Sequence, residues 1–261
     1  PFRWAKKNDA YQPLSWRETA AQIHRLAAGL KACGIEAGDR VALVSESRPE
    51  WLIADIAIMA AGGISVPAYT TNTVDDHLHI LKNSGAKGVI VSTPQLAARL
   101  IPAAEQVAES QFMVSMSPLE IPLESSLTFH GWAETLERGT EKAAEVEAWA
   151  AQLRRSDTAC LIYTSGTGGM PKGVMLSHGA ILSNCKGAYH LLKELGLSDE
   201  VFLSFLPLSH SYEHTAGQFF PLSIGAQIYY AEGIEHLGGN MIEARPTIMT
   251  AVPRLYESLY Q

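Results

Sequence analysis

Residues Tyr163–Gly173, reading Tyr-Thr-Ser-Gly-Thr-Gly-Gly-Met-Pro-Lys-Gly, put four glycines, four hydroxyls and one lysine into eleven positions. That mixture suits a polyphosphate. Glycines let backbone N–H groups approach an anion, hydroxyls donate to its oxygens, and lysine supplies a compact positive charge. An apolar run, Ala159-Cys160-Leu161-Ile162, precedes the loop and reads as a buried strand. Residues 158–193 contain no Asp or Glu, although the chain has 27 acidic residues in all. A stretch without carboxylates inside an acidic protein is what an anion site needs. On residue type alone, an ordinary strand-to-strand turn remains the alternative, because Gly and Thr also favour turns.

Three familiar phosphate and nucleophile patterns do not fit. A Walker A loop needs G-x-x-x-x-G-K-[ST], but Gly173 follows Lys172 and precedes Val174. A dinucleotide fingerprint needs G-x-G-x-x-G, and Pro171 stands at its last position. A G-x-S-x-G elbow fails because Tyr163 occupies its first glycine.

A second cluster, Leu206-Pro207-Leu208-Ser209-His210-Ser211-Tyr212-Glu213-His214, contains His210-x-x-Glu213-His214. This matches an inverted zinc-protease motif, which requires both histidines on one helix. Pro207 and Ser209 instead put His210 in a turn, so no metal ligand is assigned. Glu213 would open the next helix, where a negative charge suits the dipole. His77 and His79 are expected on the surface of a helix, pointing apart. The stripe Phe219, Phe220, Leu222 and Ile224 reads as core, with an acyl-lining role as the alternative. Trp51 and Trp132 are read as packing residues.

The elements around these residues alternate. Helices are expected over Trp16–Leu30, Pro49–Ala61, Asp75–Asn83 with Thr73 as N-cap, Pro94–Ala108, 139–155, His178–Leu195 with Ser177 as cap, Tyr212–Leu222, and from Pro253 onward. Strands are expected at Arg40–Ser45, Ile64–Tyr69, Gly88–Val91, Phe112–Met116, 158–163, Val201–Leu206, Ala226–Ala231 and Thr247–Val252, with 117–131 as loop. The alternation implies an α/β fold with mostly parallel sheets flanked by helices.

Composition excludes several classes. The net charge is −7 with no block of Lys or Arg, which argues against nucleic acid as a partner. Cys33, Cys160 and Cys185 are odd in number and widely spaced, which fits a reduced, cytoplasmic setting. No apolar run reaches the roughly 18 residues a membrane span needs. Peripheral contact at the inner membrane face, and the oligomeric state, are left open. The final element stops without a cap, which reads as a fragment of a longer protein.

The stretch YTSGTGGMPKGVMLSH resembles the signature of the adenylate-forming (AMP-binding) superfamily, usually YTSGTTGxPKGV. Gly38–Leu43, Glu46–Trp51, Val66–Tyr69, Leu206–Glu213 and Ala251–Tyr256 are similar to its long-chain fatty acyl-CoA synthetase branch. The resemblance implies the N-terminal part of that family's large domain, built of two similar α/β subdomains. These would comprise 40–195, and 1–39 with 196–261; the C-terminal domain would be absent from this chain. It implies an ATP-dependent long-chain fatty acid–CoA ligase whose fragment is inactive alone. An adenylating enzyme for aryl or amino acids, or a non-catalytic truncated protein, are the alternatives. By resemblance Thr164, Ser165, Gly166, Thr167, Gly168, Gly169 and Lys172 hold ATP, and His210 sits near the reacting carboxylate, with Glu213 as a second pocket candidate. ATP, Mg2+ and CoA are implied, with the magnesium ligand downstream of this chain. The family usually has Thr where this chain has Gly168, which removes a hydroxyl donor.

Overall fold

The computed structural model describes residues 3–7, 10–164, 169–253 and 255. The chain forms two compact units, residues 17–180, and residues 1–16 with 181–261. The residues between 17 and 39, grouped by the resemblance with the later half, belong by contact to the unit containing 40–180.

The larger unit holds a seven-stranded sheet of β3 (Arg40–Val44), β4 (Ile64–Ala68), β5 (Ala86–Val91), β6 (Phe112–Ser115), β7 (Thr128–Gly131), β8 (Thr158–Thr164) and β9 (Lys172–Ser177). Their order is β7-β6-β5-β3-β4-β8-β9, and every neighbouring pair is parallel except β8–β9. The inner strands are apolar on both faces, as parallel strands covered on each side must be, and Val41 to Val44 are fully buried. The helices are α1 (Trp16–Ala32), α2 (Pro49–Ala60), α3 (Val74–Ser84), α4 (Pro94–Ala104), α5 (Trp132–Arg138) and α6 (Val146–Ala150). Helix α2 is apolar nearly all round and buries Trp51 completely. Thr73 caps α3 with a reciprocal capping box to Asp76, and Gly85 ends it in the left-handed conformation. Helix α1 packs so closely on α5 that a Cβ on Gly29 would lie 2.1 Å from the Thr135 carbonyl oxygen.

Helix α7 (His178–Leu192) follows β9 and is capped by Ser177, whose Oγ accepts from Ala180 N at 3.2 Å. The smaller unit's sheet has the order β10-β11-β1-β2, from β1 (Arg3–Lys7), β2 (Ala10–Leu14), β10 (Val201–Ser204) and β11 (Gln227–Tyr230). Strands β1, β10 and β11 run parallel, and β2 is antiparallel to β1. Single α-turns α8 (Ser211–Glu213) and α9 (Phe220–Ser223) flank a π-helix at His214–Phe219, and α10 (Leu237–Ala244) follows β11. Phe220 is core, edge-on to Phe202 at 6.0 Å.

Several expectations need correction. Residues 117–131 are not all loop, because Thr128–Gly131 adds β7 beside β6. The expected helix over 139–155 is only a 3-10 turn and α6. The helix of that region, α5, lies earlier. Residues 172–177, where no strand was expected, form β9. Helix α4 stops at Ala104, and Thr247–Val252 contributes only a bridge from Ile248 to Phe202. The expected helix from Pro253 falls almost wholly outside the described residues. His77 is not at the surface: it is 1% exposed, and its Nε2 has no hydrogen-bond partner. Burial, then the charge of Arg99, lowers its pKa to about 4. His79 is half-buried and bonded, as described below. Among the described residues no helix is long and apolar enough to cross a membrane.

Candidate functional site

The glycine-rich segment joins the two strands of a hairpin. Strands β8 and β9 pair antiparallel from Thr158↔Ser177 to Thr164↔Lys172. Thr164 and Lys172 therefore face each other at the end of the hairpin where the chain turns back, and both are exposed. Ser165, Gly166, Thr167 and Gly168 lie outside the described residues. Gly169 has φ +124, a backbone conformation that L side chains rarely adopt. Met170 beside it is 57% exposed.

The hairpin is held where it leaves the sheet. The Tyr163 ring is buried, and its hydroxyl donates to Asn83 Oδ1 at 2.7 Å. Burial pushes that hydroxyl's pKa up, so it stays a donor. The ring lies under Gly173, where a Cβ would meet Tyr163 Cζ at 3.0 Å. The Pro171 carbonyl oxygen lies 2.7 Å from His79 Nε2, which must carry the proton there because a carbonyl only accepts. His79, Tyr163, Asn83 and Gly173 were not singled out as site residues by sequence. The signal available was the i, i+4 spacing of His79 and Asn83 on α3.

The second cluster is in the smaller unit. His210 has extended backbone, φ −89 and ψ 135, and is the N-cap of α8, its Nδ1 accepting from Tyr212 N at 3.2 Å. It is exposed. It is thus outside the helix that carries His214, so the two histidines do not share one helix face. Among the described residues no group of three or more His, Cys, Asp or Glu is placed to hold a metal ion. Glu213, by contrast, is fully buried. Its Oε1 accepts from the Ser204 hydroxyl at 2.7 Å, and its Oε2 accepts from the Thr250 hydroxyl. Burial raises its pKa from 4.5 to about 7, against the opposing pull of the Ser204 and Thr250 hydrogen bonds. Gly217 makes room for it, since a Cβ there would sit 2.2 Å from Glu213 Oε1. The π-helix begins at His214, directly after Glu213, and such widened turns recur at functional sites. Glu213 thus ties the end of β10, the π-helix and the segment at Thr250 together. Ser204, Thr250 and Gly217 carried no sequence signal for this role.

A family model described as AMP-binding enzyme matches residues 2–261. The chain belongs to the AMP-binding enzyme family. Its relatives include the Arabidopsis thaliana chloroplastic long-chain-fatty-acid–[acyl-carrier-protein] ligase AEE15, 30% identical over 95% of this chain and 35% of that protein. The long-chain-fatty-acid–CoA ligase FadD15 of Mycobacterium tuberculosis is 33% identical over 93% of this chain and 39% of the relative. The chain thus spans little more than a third of the length of these AMP-binding relatives. Among solved structures, ATP-bound MatB from Rhodopseudomonas palustris superposes with a TM-score of 0.78 at 25% identity, over 100% of this chain and 48% of MatB. The N-terminal domain of FACL13 from Mycobacterium tuberculosis gives 0.77 at 23% identity, over 100% of this chain and 61% of that one, a likeness of fold.

Proposed function

We propose that the intact protein is an ATP-dependent ligase for long-chain fatty acids. The fatty carboxylate attacks the α-phosphate of ATP, giving acyl-AMP and pyrophosphate; a thiol then displaces AMP to form a thioester. Phosphoryl chemistry of this kind rests mainly on positioning and on stabilising charge. The observation that carries the reading is the β8–β9 hairpin, which sets exposed Thr164 and Lys172 opposite each other beside Gly169 in a carboxylate-free stretch.

In this proposal Thr164, Ser165, Thr167 and the loop backbone at Gly166, Gly168 and Gly169 donate to the β- and γ-phosphates. Lys172 pairs with the departing pyrophosphate. His210, exposed on the turn before α8, sits by the reacting carboxylate, and buried Glu213 fixes that turn from behind. CoA is the proposed thiol; the relatives' names divide between CoA and acyl-carrier-protein ligases. Mg2+ is the proposed metal, with its ligand expected downstream of this chain as the family resemblance implies. The proposed setting is cytoplasmic. Because the chain covers only 35% and 39% of the length of these relatives, the 261 residues alone are proposed not to complete the reaction. The test is pyrophosphate release and exchange with ATP, driven in turn by long-chain fatty, aryl and amino acids.

A further inference from the structure

Helix α3 touches the glycine loop's two ends through residues one turn apart. Asn83 accepts from the hydroxyl of Tyr163, the residue just before Thr164. His79 donates to the carbonyl of Pro171, the residue just before Lys172. Residues i and i+4 lie on one helix face, so a single rigid element holds both places where the loop joins the sheet. The His79 and Tyr163 rings also meet edge to face at 6.1 Å. Asp75, Leu78 and Lys82 continue the same face and, with Met170, line an open cleft.

The His79 contact has a specific consequence. Proline has no N–H, so its carbonyl is the one backbone group of Pro171 that can anchor the chain. The peptide plane linking Pro171 to Lys172 is rigid, so holding the carbonyl also fixes the direction of the Lys172 N–H and the root of its side chain. Binding costs less when the groups that meet a ligand are already held, and α3 holds the chain on both sides of the segment that carries Gly166, Gly168 and Gly169.

We propose that α3 is a two-point clamp on the glycine loop, with His79 and Asn83 as positioning residues for its hold on a polyphosphate. The inference rests on the phosphate reading of the loop, and its test separates the two. In the intact protein, His79→Ala should weaken binding of inorganic pyrophosphate about fivefold, the effect of losing one hydrogen bond. His79→Gln keeps an N–H donor and should restore affinity to within about twofold of wild type. Hydrogen exchange without ligand should rise in His79→Ala at 169–174 and stay unchanged in β3, β5 and β6. Asn83→Ala should raise exchange at 161–164. Unchanged exchange in both Ala variants, a rise spread over the whole sheet, or failure of Gln to rescue would each overturn the clamp. If wild type and Lys172→Ala alike fail to bind pyrophosphate, the phosphate role falls, and with it the positioning role of His79 and Asn83.

Discussion

Thr164 and Lys172 are register partners across antiparallel strands, the last pair of β8 and β9 before the chain turns back. A hydroxyl and an ammonium are thereby presented side by side at the end of a sheet whose inner strands β3 to β6 are buried. Functional groups on strands are held more tightly than groups on loops. In the proposed reading the loop between them adds the Ser165 and Thr167 hydroxyls and, at its glycines, backbone donors.

Lys172 is the one charged group between Thr164 and Ser183 in the chain, apart from the histidine at 178. Hydrogen bonds to charged groups contribute about 1.5–3 kcal/mol. Lys172→Ala should therefore weaken binding of ATP to the intact protein by about ten- to a hundredfold. AMP, which lacks the β- and γ-phosphates, should bind as before. Titration calorimetry with both nucleotides checks this; equal losses for the two would move Lys172 away from the pyrophosphate end.

Glu213 predicts a pH dependence. Its carboxyl is raised from 4.5 to about 7 by burial. The folded state thus holds a proton over a window where the unfolded chain has released it. Stability from the protonated form is fully present below pH 4.5 and lost as pH rises through 7. The loss reaches about 3 kcal/mol at most. Glu213→Gln keeps partners for Ser204 and Thr250 without the ionisation. Urea unfolding from pH 4.5 to 8 should show wild type falling relative to Glu213→Gln. Parallel curves would mean the carboxylate is ionised at no cost inside the fold.

Gly217 provides the space for that carboxylate. Gly217→Ala would put a Cβ 2.2 Å from Glu213 Oε1. We expect a loss of about 1–3 kcal/mol from overpacking, read as a lower melting temperature. A Gly217→Ala, Glu213→Gln double variant should be no better than the single, since Gln fills the same volume. Wild-type stability in Gly217→Ala would show that the π-helix can shift without penalty.

Local signals made much of the fold legible. Thr73 three residues before Asp76 marks the start of α3, and the apolar runs of β3, β4 and β5 mark strands buried on both faces. Elements were missed where pairing overrides propensity. Thr128-Phe129-His130-Gly131 is only four residues and becomes a strand because β6 offers an edge. Lys172–Ser177 is exposed at three positions, Lys172, Val174 and Met175, without a clean alternation, and is a strand because β8 templates it. At the site, Lys172 and His210 could be picked out by motif. Ser204 and Thr250 could not, because they reach Glu213 from 9 and 37 residues away. His79 was read as surface because nothing local announces a bond to Pro171, 92 residues on.

The most direct measurement is fatty-acid-dependent exchange of radiolabelled pyrophosphate into ATP. The intact protein should exchange with long-chain fatty acids and lose exchange on Lys172→Ala, while the 261 residues alone should give none. Exchange driven by aryl or amino acids but not by fatty acids, or undiminished in Lys172→Ala, would contradict the account.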